Sequence, residues 1–269
     1  MTSIIEPKQF SHVTGLLRSF FLEKGFLEVH TQNRLSILAA CEDPETVATY
    51  EYNGQVWPRP QTGQMWLEYE LLRNPSEKGF FCLSTSYRQE PNPVEGRHET
   101  IFPMFEFEFP GDMRALKEME IELCKYLHLP ELDIRTYADW CEHFGVEELG
   151  HEEEKKIGWG MITEFPNHTS PFWNMAQYPE GFDKAKKIDV ILGGMETIGS
   201  AERSTDERAM RFMFHDISEG GYAKLLFEKF GTSRVTKELN EFLEFDFIPR
   251  VGGGIGVTRL ISAMNGNLA

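Results

Sequence analysis

The arrangement of predicted strands constrains the fold of this chain more than any other feature. Aromatic and apolar residues predict two strands, at 80–87 and 101–109, and the polar segment 89–100 between them shows no helical pattern. Neighbouring strands joined in this way run antiparallel, because a parallel pair needs a crossover that is usually a helix. Elsewhere the predicted helices and strands alternate without regular β–α–β spacing. We therefore expect an α+β fold, an antiparallel sheet flanked by helices in a single domain, rather than a doubly wound sheet.

Hydrophobic periodicity and turn residues place the other elements. Residues 7–24 predict a helix that ends at Gly25, and residues 36–60 predict a loop or hairpin. Further helices are predicted at 65–73, 112–128, 137–144, 152–158, 205–230 with a break near 220–221, and from 233 onward. Further strands are predicted at 26–31, 189–192, 196–200 and 242–247. The glycine run 252–256 predicts a tight turn that opens a last helix at 257–264.

Composition and charge exclude several classes of protein. The 269 residues carry 27 Lys+Arg against 43 Asp+Glu, a net charge of −16, which argues against non-specific binding to nucleic acid or anionic membranes. A hydrophobic content of 41% with 21 Phe excludes a disordered chain. The four cysteines are widely spaced without a CxxC pair, which favours free thiols. No signal peptide and no apolar membrane span are visible, so we expect a cytoplasmic protein with no membrane partner.

Three segments carry residues suited to binding a polyphosphate. Arg88, followed by Arg97, His98 and Phe102, offers planar guanidinium groups that bind phosphate in bidentate fashion, and an aromatic ring that can stack on a base. Asp189 and Glu196, with Arg203 at the same seven-residue interval, offer carboxylates that can hold Mg²⁺.

The glycine run 252–256, followed by Arg259, lets a ligand approach the backbone closely. Taken alone, each of these segments also fits an ordinary structural role: a tight turn, arginines at the surface, or solvated acids. Together they favour a nucleotide site.

These segments resemble two motifs of the class II aminoacyl-tRNA synthetases. YRQE, followed by RH, F and FEFE, is similar to their motif 2, and GGGIGVTRL is similar to their motif 3. The most similar branch is the aspartyl, asparaginyl and lysyl one, together with the asparagine synthetases built on the same core. The resemblance extends through residues 61–68, 164–175 and 196–203, and covers most of 10–264.

The resemblance implies an enzyme that joins an amino acid to ATP as an aminoacyl-adenylate and releases pyrophosphate. It implies ATP as substrate, Mg²⁺ as cofactor, Asp189 and Glu196 as metal ligands, and Arg88 and Arg259 as catalytic residues. The ATP-binding residues that it implies are Arg88, Glu90, Arg97, His98, Phe102, Glu196, Gly254, Gly256 and Arg259. Gln64, Glu68 and Arg203 are implied as the amino-acid-binding residues.

The choice of amino acid depends on positions 67 and 68. Aspartate-specific members usually carry a lysine at the position of Leu67, whereas Leu67-Glu68 resembles the asparaginyl pattern. Glu68 can accept hydrogen bonds from a side-chain amide while Arg203 donates to its carbonyl, but an aspartate carboxylate would meet Glu68 as a like charge. We therefore favour asparagine over aspartate. Glu68 pointing away from the substrate is the alternative.

The acceptor stays open between tRNA, ammonia and another molecule, and a non-catalytic relative that senses amino acid or nucleotide is a further alternative. The motif 1-like helix begins near residue 10, so residues 1–269 are expected to be one catalytic domain without an OB-fold anticodon-binding domain. Motif 1 forms the homodimer interface in the family, and Gln32 stands where the family has a proline. A homodimer is expected nonetheless.

Overall fold

The computed structural model describes residues 5–32, 35–38, 45–89, 99–169, 172–179 and 183–266. Its strands, in chain order, are β1 Leu27–Glu28, β2 Thr49–Tyr52, β3 Gln55–Pro58, β4 Phe80–Tyr87, β5 Ile101–Pro110, β6 Asp133–Thr136, β7 Trp159–Pro166, β8 Lys184–Leu192, β9 Met195–Glu202 and β10 Arg250–Gly256. Its helices are α1 Pro7–Glu23, α2 Gln64–Arg73, α3 Met113–Tyr126, α4 Tyr137–Phe144, α5 His151–Ile157, α6 Glu207–Asp216, α7 Gly221–Phe230, α8 Thr232–Leu243 and α9 Val257–Met264.

Eight strands form one sheet in the order β1-β4-β5-β10-β9-β8-β7-β6. The six central strands are antiparallel to one another, and the short outer strands β1 and β6 pair in parallel with β4 and β7. The predicted antiparallel sheet with flanking helices is thereby confirmed. The strands β2 and β3 form a separate hairpin around the Asn53-Gly54 turn, where both residues have positive φ.

The alternating sequence of β5 assigns the two faces of the sheet. Phe105 and Phe107 point into the main core, where both stack on Phe21 of α1 at centroid distances of 5.3 and 5.2 Å. Glu106 and Glu108 project from the opposite face and are completely buried. Helices α1, α3 and α9 cover the first face, while α2 and the group α6–α8 pack around Trp173 in a second core. The second face therefore holds charged side chains away from water.

Two sequence-based predictions were wrong and two strands were missed. The glycine run is strand β10, because Gly252–Gly256 pairs with both β5 and β9 and the absent side chains let these strands approach. A Cβ on Gly253 would lie 2.5 Å from the Cβ of Ser200. Residues 244–249 are not a strand, since α8 runs to Leu243 and packs Phe242 into the second core. Strands β6 and β7 were not predicted.

The cysteines and the helix lengths can be compared with the sequence-based predictions within the described residues. Cys82, Cys124 and Cys141 are free thiols, and Cys41 lies outside the described residues. No helix in the described ranges is both long enough and apolar enough to cross a membrane.

Candidate active site

A cavity of about 360 Å³ opens on the second face of the sheet, above β5, β10 and β9. Its walls come from residues far apart in the sequence. The described lining is Thr62, Gln64, Arg88, Glu99, Phe102, Met104, Phe172, Lys187, Glu196, Thr197, Gly199, Ser200, Ala201, Arg203, Gly254, Gly256, Thr258 and Arg259. The structure thus brings together residues from all three segments singled out in the sequence.

One end of the cavity is positively charged. The guanidinium of Arg88, just after β4, lies 5.6 Å from the ring centroid of Phe102. Its Nε is buried and has no hydrogen-bond partner among the described residues, so it is a cationic donor prepared for an anion. Arg259, in the first turn of α9, donates from Nη1 to the main-chain carbonyl of Glu196. Arg88 and Arg259 therefore present two cations to the same cavity.

Glycines keep the floor of this end low. Gly254 and Gly256 line the cavity, and a Cβ on Gly254 would lie 2.7 Å from Cε of Met104. The absence of a side chain on Gly254 lets Met104 pack directly over it, and Phe102 lines the same cavity. The predicted nucleotide residues Glu90, Arg97 and His98 lie outside the described residues.

The two predicted metal ligands converge on one point. A Cβ on Gly199 would lie 3.0 Å from Oε1 of Glu196 and 3.7 Å from Oδ1 of Asp189. Glu196 lines the cavity, whereas Asp189 lies beneath it, 7% exposed, with Oδ1 unpartnered among the described residues. The pKa of Asp189 is raised to about 7: burial is the main cause, Lys187, which donates to Oδ2 at 2.8 Å, opposes the rise, and the charge of Glu196 adds to it.

These donors fit a divalent cation only when a ligand supplies the remaining coordination. Within the described ranges, no three His, Cys, Asp or Glu side chains cluster closely enough to hold a metal ion. Mg²⁺ usually binds through one or two carboxylates together with substrate phosphates and water, and an orphaned carboxylate oxygen beside a second carboxylate meets that description.

The other end of the cavity is built around Arg203. Its guanidinium forms a bidentate pair with Glu108, with Nε–Oε1 at 3.2 Å and Nη2–Oε2 at 3.1 Å, and Nη2 also donates to Oε1 of Gln64 at 3.1 Å. Burial raises the pKa of Glu108, while the charge of Arg203 and its bidentate hydrogen bonds lower this pKa and favour the carboxylate form. Arg203 is held rigidly, with its orientation fixed by partners from β5 and α2.

Glu68 occupies a different place from the one the sequence suggested. It is absent from the described lining of the cavity and is 1% exposed. Its Oε2 accepts from Nη2 and Nε of Arg250, at 2.7 and 3.1 Å, and its Oε1 accepts from Nδ2 of Asn174 at 2.8 Å. Oε1 of Glu68 lies 3.7 Å from Nε of Arg203, so Glu68 supports this arginine from the protein interior. The geometry therefore gives no support to direct contact between Glu68 and a substrate amide.

A family model and individual relatives match this chain. The family described as tRNA synthetases class II (D, K and N) matches residues 7–268. The chain belongs to this family. Among curated proteins it resembles the aspartate–tRNA(Asp/Asn) ligase of Methanopyrus kandleri, with 25% identity over 293 residues, covering 94% of this chain and 63% of that protein.

Solved structures show the same fold. The asparaginyl-tRNA synthetase of Pyrococcus horikoshii, complexed with asparaginyl-adenylate, matches with a TM-score of 0.77 and 20% identity over 96% of this chain and 64% of that one. The Entamoeba histolytica asparaginyl-tRNA synthetase, also with asparaginyl-adenylate, gives 0.79 and 19% over 96% and 63%. This class II chain thus spans less than two thirds of the length of these relatives.

Sequence reasoning missed the acids that organise this class II site. Glu106 accepts from the Thr62 hydroxyl, from the Gly63 N–H at 2.8 Å and from the Ser84 hydroxyl at 2.5 Å. It thereby fixes the turn that starts α2 and carries Gln64 into the cavity. Glu106 and Glu108 had a usable signal, since each stands between phenylalanines in a strand whose other face is core. Arg250 and Asn174 carried no comparable signal.

Proposed function

We propose that this chain activates an amino acid with ATP, forming an aminoacyl-adenylate and pyrophosphate, with asparagine favoured over aspartate. The observation that supports it is one cavity with Arg88 and Arg259 at one end and Arg203, paired with Glu108, at the other. A nucleotide phosphate chain matches the first end, and a polar amino-acid side chain matches the second.

The reaction needs positioning and charge, not a protein nucleophile. The carboxylate of the amino acid attacks the α-phosphorus, and pyrophosphate leaves with the bonding electrons. Arg88 stabilises the negative charge that develops on the α-phosphate, and Arg259 holds the terminal phosphate. Phe102 orients the adenine by stacking. Mg²⁺, when bound, neutralises phosphate charge, and Asp189 and Glu196 are the residues that would hold it.

The preference for asparagine follows from the charges around Arg203. Two buried arginines, Arg203 and Arg250, face two buried glutamates, Glu68 and Glu108, so formal charges in this cluster cancel. A neutral carboxamide adds no charge to the cluster. An aspartate carboxylate would be buried beside an arginine that Glu108 already neutralises, which carries a desolvation cost without a matching cation.

Aspartate is the second candidate. The Methanopyrus relative is named for aspartate, which supports activation of the acid by this chain too. In that case, release of AMP that depends on aspartate and ammonia would indicate an asparagine synthetase, and charging of added tRNA would indicate a tRNA ligase. The homodimer and the cytoplasmic location stay predictions.

Isotopic exchange between ATP and pyrophosphate tests the proposal. We expect exchange that depends on asparagine, a weaker rate with aspartate, and a fall of about 10²–10³ in the rate for Arg88→Met. Arg73→Met serves as the matched control, since Arg73 ends α2 outside the described lining. Folded protein without exchange for any of the twenty amino acids would refute the proposal, and ligand binding without exchange would identify a non-catalytic sensor.

A further inference from the structure

Lys187 is a cationic side chain that lines the cavity and has no role in the proposed reaction. It lies on β8, two residues before Asp189, so both side chains project from the same face of the strand. Its Nζ donates to Oδ2 of Asp189 at 2.8 Å and lies 4.1 Å from the ring centroid of Phe165. The lysine side chain is 15% exposed and lines the cavity beside Glu196. An ammonium is therefore fixed in the wall next to the carboxylate pair.

The pairing changes what Asp189 can offer a metal ion. One of its oxygens, Oδ2, is occupied by Lys187, and the other, Oδ1, is buried beneath the cavity. Separating the pair would leave a buried carboxylate without its counter-charge, which costs several kcal/mol in typical proteins. The positive charge that neutralises Asp189 is thus the ammonium of Lys187, not a bound metal ion.

The ammonium of Lys187 lies in the cavity where the phosphates of ATP are proposed to bind. Arg88, Arg259 and Lys187 all line one cavity, so the ammonium shares this cavity with the two guanidinium groups. The aromatic face of Phe165 and the carboxylate of Asp189 hold Nζ from behind.

We propose that Lys187 is a resident phosphate-binding cation, held by Asp189, which supplies part of the positive charge that divalent metal ions otherwise bring to a bound triphosphate. The inference rests on the proposed binding of ATP in this cavity. It makes Asp189 chiefly a positioning residue for Lys187 and leaves Glu196 as the carboxylate that faces the metal.

Calorimetric titration with ATP in EDTA tests the contact directly. We expect the wild-type protein to bind ATP without divalent metal, and Lys187→Met to weaken this binding roughly tenfold or more, the value of one charge-assisted hydrogen bond. Lys187→Arg should retain most of the affinity. Lys184→Met is the matched control, because Lys184 lies on the same strand, pairs with Glu164 and is outside the described lining.

Mn²⁺ binding, measured by electron paramagnetic resonance in the presence of ATP, gives a second readout with the opposite sign. Lys187→Met releases Oδ2 of Asp189, so the ATP complex should bind Mn²⁺ more tightly than the wild-type complex. The double variant Lys187→Met/Asp189→Asn should lose that gain, and it also avoids an unpaired buried carboxylate if the single variant folds poorly.

Two results would overturn the inference: absence of metal-free ATP binding in the wild-type protein, or equal metal-free affinity in wild type and Lys187→Met. Either would restrict Lys187 to neutralising Asp189. The proposed function fails separately, since it requires amino-acid-dependent pyrophosphate exchange, whereas these titrations contain no amino acid.

Discussion

Glu120 lies in α3 beneath the sheet, completely buried, and neither of its carboxylate oxygens has a hydrogen-bond partner among the described residues. The pKa of Glu120 is raised from 4.5 to about 8, chiefly by burial and also by the charge of Asp189. The folded protein therefore keeps this acid protonated at pH values where the unfolded chain has already ionised it. Between the two pKa values the unfolded state binds fewer protons, so stability falls as the pH rises.

Glu120→Gln removes this titration while keeping the shape of the side chain. Each pH unit inside the window changes the free energy of unfolding by about 1.4 kcal/mol, so wild type should lose about 2 kcal/mol relative to the variant between pH 5.5 and 7.5. The amide brings its own cost of burial, but that cost does not depend on pH. The comparison is therefore the difference between two pH profiles, not the stability at one pH.

Urea unfolding at pH 5.5, 6.5 and 7.5 measures the two profiles. Glu118→Gln provides the control, because Glu118 lies on the same helix and is solvent-exposed in its pair with Arg114. If the profiles of wild type and Glu120→Gln run parallel, Glu120 titrates alike in both states and the reasoning from burial is wrong.

Three further changes test the packing and charges of the site. Glu68→Gln should lower the free energy of unfolding by about 3–5 kcal/mol, because Arg250 stays buried without its counter-charge; urea unfolding measures this, and adding Arg250→Met should recover part of the loss. Gly253→Ala should cost about 1–3 kcal/mol through its clash with Ser200, whereas Gly15→Ala, with open space around it in α1, should be neutral or stabilising in the same assay. Glu108→Gln leaves Arg203 with excess positive charge, so the ratio of exchange rates for asparagine over aspartate should fall roughly tenfold, and an unchanged ratio would contradict the charge argument.

The elements that periodicity predicts well are those with one strongly apolar face. Helix α1 and strands β4 and β5 were predicted almost to their observed ends, because their phenylalanines and other apolar residues recur at buried positions with the period of each element. The glycine run shows the limit of such rules. Glycine usually disfavours strands, but here the close packing of β10 between β5 and β9 requires the absence of side chains, which is a tertiary property.

Sequence motifs predicted several of the residues that line the cavity, but not which residues lie behind them. Arg88, Phe102, Glu196 and Arg259 line it as expected, whereas Glu68 and Asp189 lie behind Arg203 and Lys187. Which residue touches the ligand and which holds its neighbour depends on distances across strands, and spacing along one chain does not encode them. Glu68, which the sequence analysis predicted to bind the substrate amide, is thus an ion-pair partner of Arg250.

Glu106 and Glu108 lie behind residues that line the cavity, and this position gives them a role that stability alone does not explain. Glu106 and Glu108 bring two carboxylates into the interior, where replacement by apolar residues is often neutral or stabilising. Each is instead bonded to a group that reaches the cavity, Glu106 to the turn carrying Thr62 and Gln64, and Glu108 to Arg203. Because these bonds fix the cavity wall in advance, the ligand does not pay to order it on binding. Strand β5 thus packs its phenylalanines into the core on one face, while Glu106 and Glu108 on the other face hold the polar wall of the cavity in place.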